Sequence, residues 1–224
     1  MTTKCKTLFI SDIHLGSVGC RDDLILKFLK EYDAEKIYLV GDIIDFWRIN
    51  QNTYWPQTHN DILQKLLRKG RKGSEIIYIP GNHDESMRIL SNKKFGSVKI
   101  KYDDYYKTND GKVYYVTHGD QFDHMMKRRK LSIFGCRIYN ILLKINNTLF
   151  KSIKKNTNRT KTYEKNVIEN VKKMNVDGVI CGHIHSPKIK NIDNFIYCNC
   201  GDFTENFTAL IENLDGKLEI VYVK

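Results

Sequence analysis

Short apolar runs recur along this chain, and each ends in a knot of small and polar residues. Residues 7–10, 36–40, 75–79, 112–117 and 178–181 are rich in Ile, Val, Leu, Tyr and Phe. Runs of this length and composition predict buried strands. Further strands are expected at 98–106, 195–199, 207–211 and 218–223, with Asn213-Leu214-Asp215-Gly216 as a hairpin turn. The intervals between the first strands have helical period. Over 22–32, Leu24, Ile25, Phe28 and Leu29 share one face. A second helix is expected over 60–69, with Asn60 as N-cap and Gly70 and Gly73 ending it. Alternating strands and helices of this kind imply an α/β fold.

The pattern changes at residue 122, and no strand is expected before 173. Phe134, Ile138, Ile141, Leu142, Ile145 and Leu149 recur in steps of three and four. Arg137, Asn140, Lys144, Asn147 and Lys151 take the opposite face. This predicts an amphipathic helix, and another is expected over 163–174. Charge at helical spacing argues against a membrane span. Residues 122–173 are therefore read as a helical insertion, or lid, within a single domain that spans 1–224.

Charge adds to that picture. The chain has 224 residues and a net charge of +11. Residues 121–173 hold 14 Lys and Arg against 3 Asp and Glu, so the whole excess lies there. Such a segment is expected to face something anionic. The N-terminus shows no hydrophobic signal core, which makes the cytoplasm the expected compartment. Six cysteines form no C-x-x-C pair and are expected to be reduced, small apolar fillers.

The polar knots carry the chemistry. Asp12 and His14 follow the first strand, and Asp42 and Asp45 the second. Gly81-Asn82-His83-Asp84 follows the third, His118 the next, and His183 and His185 the one after. Residues two apart at a strand's end point the same way. In open α/β sheets that end is where ligands bind. The set Asp12, His14, Asp42, Asn82, His118, His183 and His185 offers only nitrogen and oxygen donors, which suits Mn, Fe or Zn. Seven donors exceed what one open catalytic ion needs. Two ions sharing a carboxylate, about 3.5–4 Å apart, suit phosphoryl hydrolysis better. Asp42 is the expected bridge. Asp45 is expected beside the ions and not on them, and His59 is expected as a surface or helix-start histidine.

Taken in order, D-x-H, G-D-x-x-D, G-N-H-D, a strand-end His and G-H-x-H resemble the calcineurin-like metallophosphoesterase family. The resemblance implies a four-layer αββα sandwich. It implies one ion on Asp12, His14, Asp42 and His185, and the other on Asp42, Asn82, His118 and His183. It also implies a catalytic role for His83 at the phosphoryl group, with Asp84 orienting its ring.

Longer stretches resemble the branch that hydrolyses UDP-2,3-diacylglucosamine in lipid A synthesis. They are Ser11–Gly16, Gly41–Trp47, His118–Asp123, Cys181–Pro187 and Asn199–Glu205 with Thr208–Glu212. This resemblance implies attack of a metal-bound hydroxide on the pyrophosphate, giving UMP and an acylated sugar phosphate. It implies that residues 122–173 cover the acyl chains, and Asp123, Arg128 and Arg137 are the expected substrate-binding residues. Two Mn2+ ions are expected, with Fe or Zn as alternatives. An anionic membrane surface is the expected partner of the basic helices, which would place the protein peripherally on its inner face. Two positions depart from this branch. The best-known enzymes with this substrate carry Arg where His83 stands, and Phe203 is often Trp.

A general phosphoesterase acting on another nucleotide diphosphate or phosphodiester is the alternative function. Nucleic-acid binding is disfavoured because the aromatics lie on the helix's apolar face. A non-catalytic scaffold is disfavoured because all seven donors are present.

Overall fold

A computed structural model of the chain describes residues 2–51, 53–123 and 157–224. Two mixed sheets form its centre. Sheet one contains β1 (Thr3–Ile10), β2 (Tyr32–Val40), β3 (Glu75–Ile79), β4 (Lys94–Phe95), β5 (Val98–Ile100), β11 (Thr208–Glu212) and β12 (Leu218–Tyr222), in the order β12-β11-β1-β2-β3-β5-β4. Sheet two contains β6 (Asp104–Lys107), β7 (Val113–Val116), β8 (Gly178–Cys181), β9 (Lys188–Ile192) and β10 (Phe195–Asn199), in the order β6-β7-β8-β10-β9. β1, β2 and β3 run parallel, as do β7, β8 and β10.

Strand alternation sorts the core into layers. Leu8, Ile10, Ile37, Leu39 and Ile76 point to one side of sheet one. There they meet Ile25, Phe28 and Leu29 of α1 (Asp22–Glu31) and Ile62 and Leu66 of α3 (Gln57–Arg71). Their neighbours Phe9, Tyr38, Val40, Ile77 and Ile79 point to the other side, against Tyr106, Tyr114, Val116, Ile180 and Cys198 of sheet two. The outer face of sheet two, with Tyr115, Val179, Cys181 and Tyr197, packs on Tyr163, Val167 and Val171 of α4 (Thr157–Val171). The described residues therefore stack as helix, sheet, sheet, helix. Each fully buried Leu, Ile or Phe in these layers contributes about 1.5–3 kcal/mol.

The sequence expectations hold for 75–79, 178–181 and 195–199, and elsewhere the bounds move. The run 98–106 divides into β5 and β6, which belong to different sheets. Asp104 opens β6. The helix expected over 60–69 begins at Gln57, and Asn60 lies inside it, accepting from Trp55 Nε1 at 2.9 Å. His59 is buried on that helix, and its Nδ1 accepts from the Gly16 N–H at 3.1 Å. It lies in the first turn of the helix, as one of the two expectations had it, and holds the turn after His14, so it is not a surface histidine. A short helix, α2 (Phe46–Ile49), was not expected, and Asp45 caps it by accepting from the Arg48 N–H. The helix expected over 134–149 lies outside the described residues. Cys5, Cys20, Cys181, Cys198 and Cys200 are free and buried. Burial pushes the Cys181 thiol up to about 12, which leaves it unreactive.

Candidate metal centre

Parallel strands place their C-terminal ends side by side. Asp12 and His14 follow β1, Asp42 follows β2, and Asn82 follows β3; His118 follows β7, and His183 and His185 follow β8. The backbone continues the strand pairing past these ends. Asp12 N donates to Gly41 O at 3.0 Å, His14 N to Asp42 O at 2.9 Å, and Gly182 N to His118 O at 3.1 Å. The turns are tight enough to force unusual dihedrals. Asp12, His14, Asp42, His183 and His185 all have left-handed backbone, with φ of 53°, 56°, 53°, 72° and 50°. Each such residue costs of order 1–3 kcal/mol, a strain that persists only where the surroundings enforce it. Here it aims five side chains at one space.

Two glycines make that space. A Cβ on Gly41 would lie 2.2 Å from His118 Nδ1, and one on Gly81 would lie 2.3 Å from Asp42 Oδ1. Glycine is required there because two sets of donor side chains approach the backbone.

Among the described residues the donors form three groups, one of which is His14 with Asp45 and His83. Asp12, His14 and His185 bring ligand atoms within 4.8 Å of one another, and so do Asp42, His118 and His183. His185 Nε2 lies 3.2 Å from Asp12 Oδ1, and His118 Nε2 lies 3.4 Å from Asp42 Oδ2. Between the groups, His14 Nε2 is 3.8 Å from both Asp12 Oδ1 and Asp42 Oδ2. Asn82 is buried at the same end, beside Gly81.

Unmet polar atoms test whether these residues suit cations. Among the described residues, six buried side-chain polar atoms lack a hydrogen-bond partner. Four of them are Asp12 Oδ1, His14 Nε2, Asn82 Oδ1 and His118 Nε2. Such atoms cost free energy unless something satisfies them. Carboxylate, imidazole and amide donors together fit divalent ions of the Mn, Fe or Zn kind.

The rings are held from behind. His14 Nδ1 lies 3.2 Å from Asp45 Oδ2, His118 Nδ1 lies 3.0 Å from Val40 O, and His183 Nε2 lies 3.1 Å from Asp123 Oδ2. His185 Nδ1 lies 3.3 Å from Thr204 Oγ1, and the His185 carbonyl accepts from Asn206 Nδ2 at 2.8 Å. Such contacts fix tautomer and orientation. Thr204 and Asn206 were not singled out in the sequence. The only sign of Thr204 there was the stretch 199–205, Asn206 lies just outside it, and nothing local links either to His185.

His83 stands at the mouth of the cluster, with Nε2 4.0 Å from Asp42 Oδ2. Its Nδ1 pairs with Asp45 Oδ1 at 2.9 Å, and Trp47 packs on its ring at 4.1 Å between centroids. The expected orienting residue, Asp84, is elsewhere. Its carboxylate is fully buried and accepts from the N–H of Ile43 at 2.8 Å, the N–H of Gly81 at 2.5 Å and the Tyr78 hydroxyl. Asp84 thus braces the turns around Asp42, and Asp45 is the residue that orients His83. The reason is steric: adjacent residues in this turn diverge, whereas Asp45 begins a helix that faces it. Asp123, expected on substrate, sits between His183 and Arg159, whose Nη2 donates to it at 2.8 Å. Arg128 and Arg137 lie outside the described residues.

Charge within the cluster shifts its protonation. Burial disfavours the imidazolium of His118, but the Asp42 carboxylate outweighs it and raises the pKa to about 10. Burial alone would raise Asp45, yet hydrogen bonds from His14 and His83 hold it below the usual carboxylate range. The metal-free cluster therefore keeps its proton on His118 at neutral pH, and a cation must displace it. Because the folded pKa is raised, that proton stabilises the metal-free fold fully below about 6.5, and the contribution is lost as pH rises towards 10. In EDTA the melting temperature is expected to fall across that window. With saturating Mn2+ neither the unfolded nor the metal-bound state holds that proton above about 6.5, so the melting temperature is expected to stay level over the same window. Thermal melts at several pH values check this; parallel slopes in the two states would contradict it.

Comparison with known proteins agrees with the geometry. The calcineurin-like phosphoesterase profile matches residues 5–187. A UDP-2,3-diacylglucosamine hydrolase of Vibrio atlanticus is 30% identical over 218 residues, covering 87% of this chain and 85% of that protein. One of Haemophilus influenzae is 24% identical, covering 96% and 98%. A solved archaeal phosphodiesterase shares the fold at a TM-score of 0.50 and 14% identity, covering 97% of this chain and 99% of that one. The family match spans the described strand ends that carry the cluster, and so the chain belongs to the calcineurin-like phosphoesterases, the metal-dependent hydrolases of phosphate esters.

Proposed function

We propose that this enzyme cleaves the pyrophosphate of UDP-2,3-diacylglucosamine, giving UMP and 2,3-diacylglucosamine 1-phosphate, with two Mn2+ ions. The observation that carries the chemistry is two adjoining groups of donors, Asp12, His14 and His185 beside Asp42, His118 and His183, with Asp42 Oδ2 3.8 Å from His14 Nε2 and with ligand atoms left unpartnered. The substrate rests on relatives of that name that align over most of their length. Asp12, His14, Asp42 and His185 would hold one ion, and Asp42, Asn82, His118 and His183 the other. When bound, the ions supply Lewis-acid charge for the phosphoryl oxygens and a nucleophile available at neutral pH.

The side chains supply the remainder. Asp45 accepts from His83 Nδ1, so Nε2 faces the reacting phosphate. The bridging P–O bond breaks, water adds its oxygen to the attacked phosphorus, and the leaving phosphate oxygen takes up a proton. His83 Nε2 is placed to donate it. Asp45 serves both His14 and His83, so the same carboxylate orients a cation ligand and the proton donor.

The acyl chains would be covered by residues 122–173, as an insertion in a single domain of residues 1–224. Asp123, Arg128 and Arg137 would contact the substrate. Each basic residue near an anionic lipid surface contributes about 1 kcal/mol, enough together to hold a cytoplasmic protein there reversibly. Among the described residues no helix is long and apolar enough to cross a membrane.

The test is incubation of the Mn2+-loaded protein with UDP-2,3-diacylglucosamine and chromatography for UMP. A second reading, a phosphoesterase for another nucleotide diphosphate or phosphodiester, is favoured by the paired His83 and Asp45 where the best-known lipid-precursor enzymes carry Arg for His83. No UMP, with bis(p-nitrophenyl) phosphate still cleaved, would establish it instead.

A further inference from the structure

Arg88 lies outside the cluster, yet it touches two of the turns that carry donors for the second ion, those of Asn82 and His118. It sits in the 3₁₀ turn Glu85–Leu90 after the Gly81–Asp84 stretch. Its Nε and Nη2 donate to the Pro80 carbonyl at 3.3 and 3.1 Å, and Nη2 donates to Asp120 Oδ1 at 2.7 Å. Pro80 is two residues before Asn82, and Asp120 is two residues after His118. The side chains of Arg88 and Asp120 are 23% and 11% exposed, and the Tyr102 ring lies under the guanidinium at 5.3 Å. A planar guanidinium can grip a carbonyl and a carboxylate at once in fixed geometry, which an ammonium cannot.

These turns come from different sheets: Pro80 follows β3 of sheet one, and Asp120 follows β7 of sheet two. Sheet packing sets their separation only coarsely, and a metal position needs tighter control. We propose that Arg88 is a positioning residue that fixes the second cation position by tying the Asn82 turn to the His118 turn. This rests on the reading that Asp42, Asn82, His118 and His183 hold an ion. The first position, on Asp12, His14 and His185, receives no contact from Arg88.

Titration of the metal-free protein with Mn2+, followed by electron paramagnetic resonance of the free ion and by calorimetry, tests it. Arg88→Met is expected to weaken one of two Mn2+ sites by about 10–100-fold and leave the other unchanged. Arg88→Lys is expected to fall between Arg88→Met and wild type. Asp120→Asn removes the charge on the other side and is expected to weaken the same site. Because Arg88 is proposed to act through the cation position, kcat of Arg88→Met is expected to return towards wild type at saturating Mn2+. A purely structural role would not produce that rescue. Two sites of wild-type affinity in both Arg88→Met and Asp120→Asn, or equal loss at both sites, would overturn the proposal. Should Arg88→Met fail to fold, Asp120→Asn decides alone. A wild-type protein that binds two Mn2+ ions but releases no UMP overturns only the substrate. One that binds fewer than two overturns the two-ion reading and this proposal with it.

Discussion

Asp42→Ala is expected to lower bound Mn2+ from two ions to fewer than one per chain and to reduce kcat/KM by about 10³-fold or more. That reduction corresponds to roughly 4 kcal/mol of lost transition-state stabilisation. Asp42 is the carboxylate that lies within reach of both donor groups. Its Oδ2 lies 3.4 Å from His118 Nε2 in one group and 3.8 Å from His14 Nε2 in the other. Its Oδ1 also accepts from the His83 backbone N–H at 2.8 Å, so truncation to Ala loosens the Asn82 turn as well. Asp42→Asn separates the two effects, because it keeps an oxygen acceptor while removing the charge. Asp12→Ala is the contrasting variant, since Asp12 belongs to the group with His14 and His185 alone. It is expected to empty mainly one position. Metal analysis of gel-filtered protein, alongside kcat/KM, distinguishes these outcomes. Two ions retained in Asp42→Ala would contradict the shared-carboxylate reading.

His83→Ala is expected to keep both ions and to lose about 10²–10⁴-fold in kcat, the usual weight of a positioned proton donor. The ring faces the cluster through Nε2, and its other nitrogen is committed to Asp45. Asp45→Asn is expected to lower kcat too, and in addition to weaken one Mn2+ site, since Asp45 also holds His14. Asp84→Asn is expected to act differently. Its carboxylate accepts from backbone N–H groups and the Tyr78 hydroxyl, so the loss should appear first as a lower melting temperature. Parallel measurement of kcat, bound Mn2+ and thermal unfolding for the three variants checks the assignment. Equal kcat losses for Asp84→Asn and His83→Ala at unchanged stability would restore Asp84 as the orienting residue.

Much of the strand pattern was legible because a strand buried on both faces must be continuously apolar, and such runs are hard to misread. β3, β8 and β10 match their expected bounds. Helix starts were less legible. Pro56 and Trp55 allow α3 to begin before its apolar period does, which brings His59 inside. The separation of β5 from β6, at a bend at Tyr102, was not resolved within the run 98–106.

The sequence by itself determined which side chains stand at strand ends, and their donor chemistry: two carboxylates, four imidazoles and one amide. Strand period and the parallel order of an α/β fold are local consequences of residue pattern, so they can be read along one dimension. Which residue supports which was decided only by the tertiary structure. Asp45 reaches His83, Asp84 turns to backbone amides, Thr204 and Asn206 hold His185, and Arg88 spans two sheets. Those pairings depend on how separate turns pack in space. Neighbours in sequence, such as His83 and Asp84, take different partners, Asp45 for one and backbone N–H groups for the other. The bridging role first inferred for Asp42 rests on both. Its position follows from β2, and its place between two donor groups follows from the packing of β1, β7 and β8 around it.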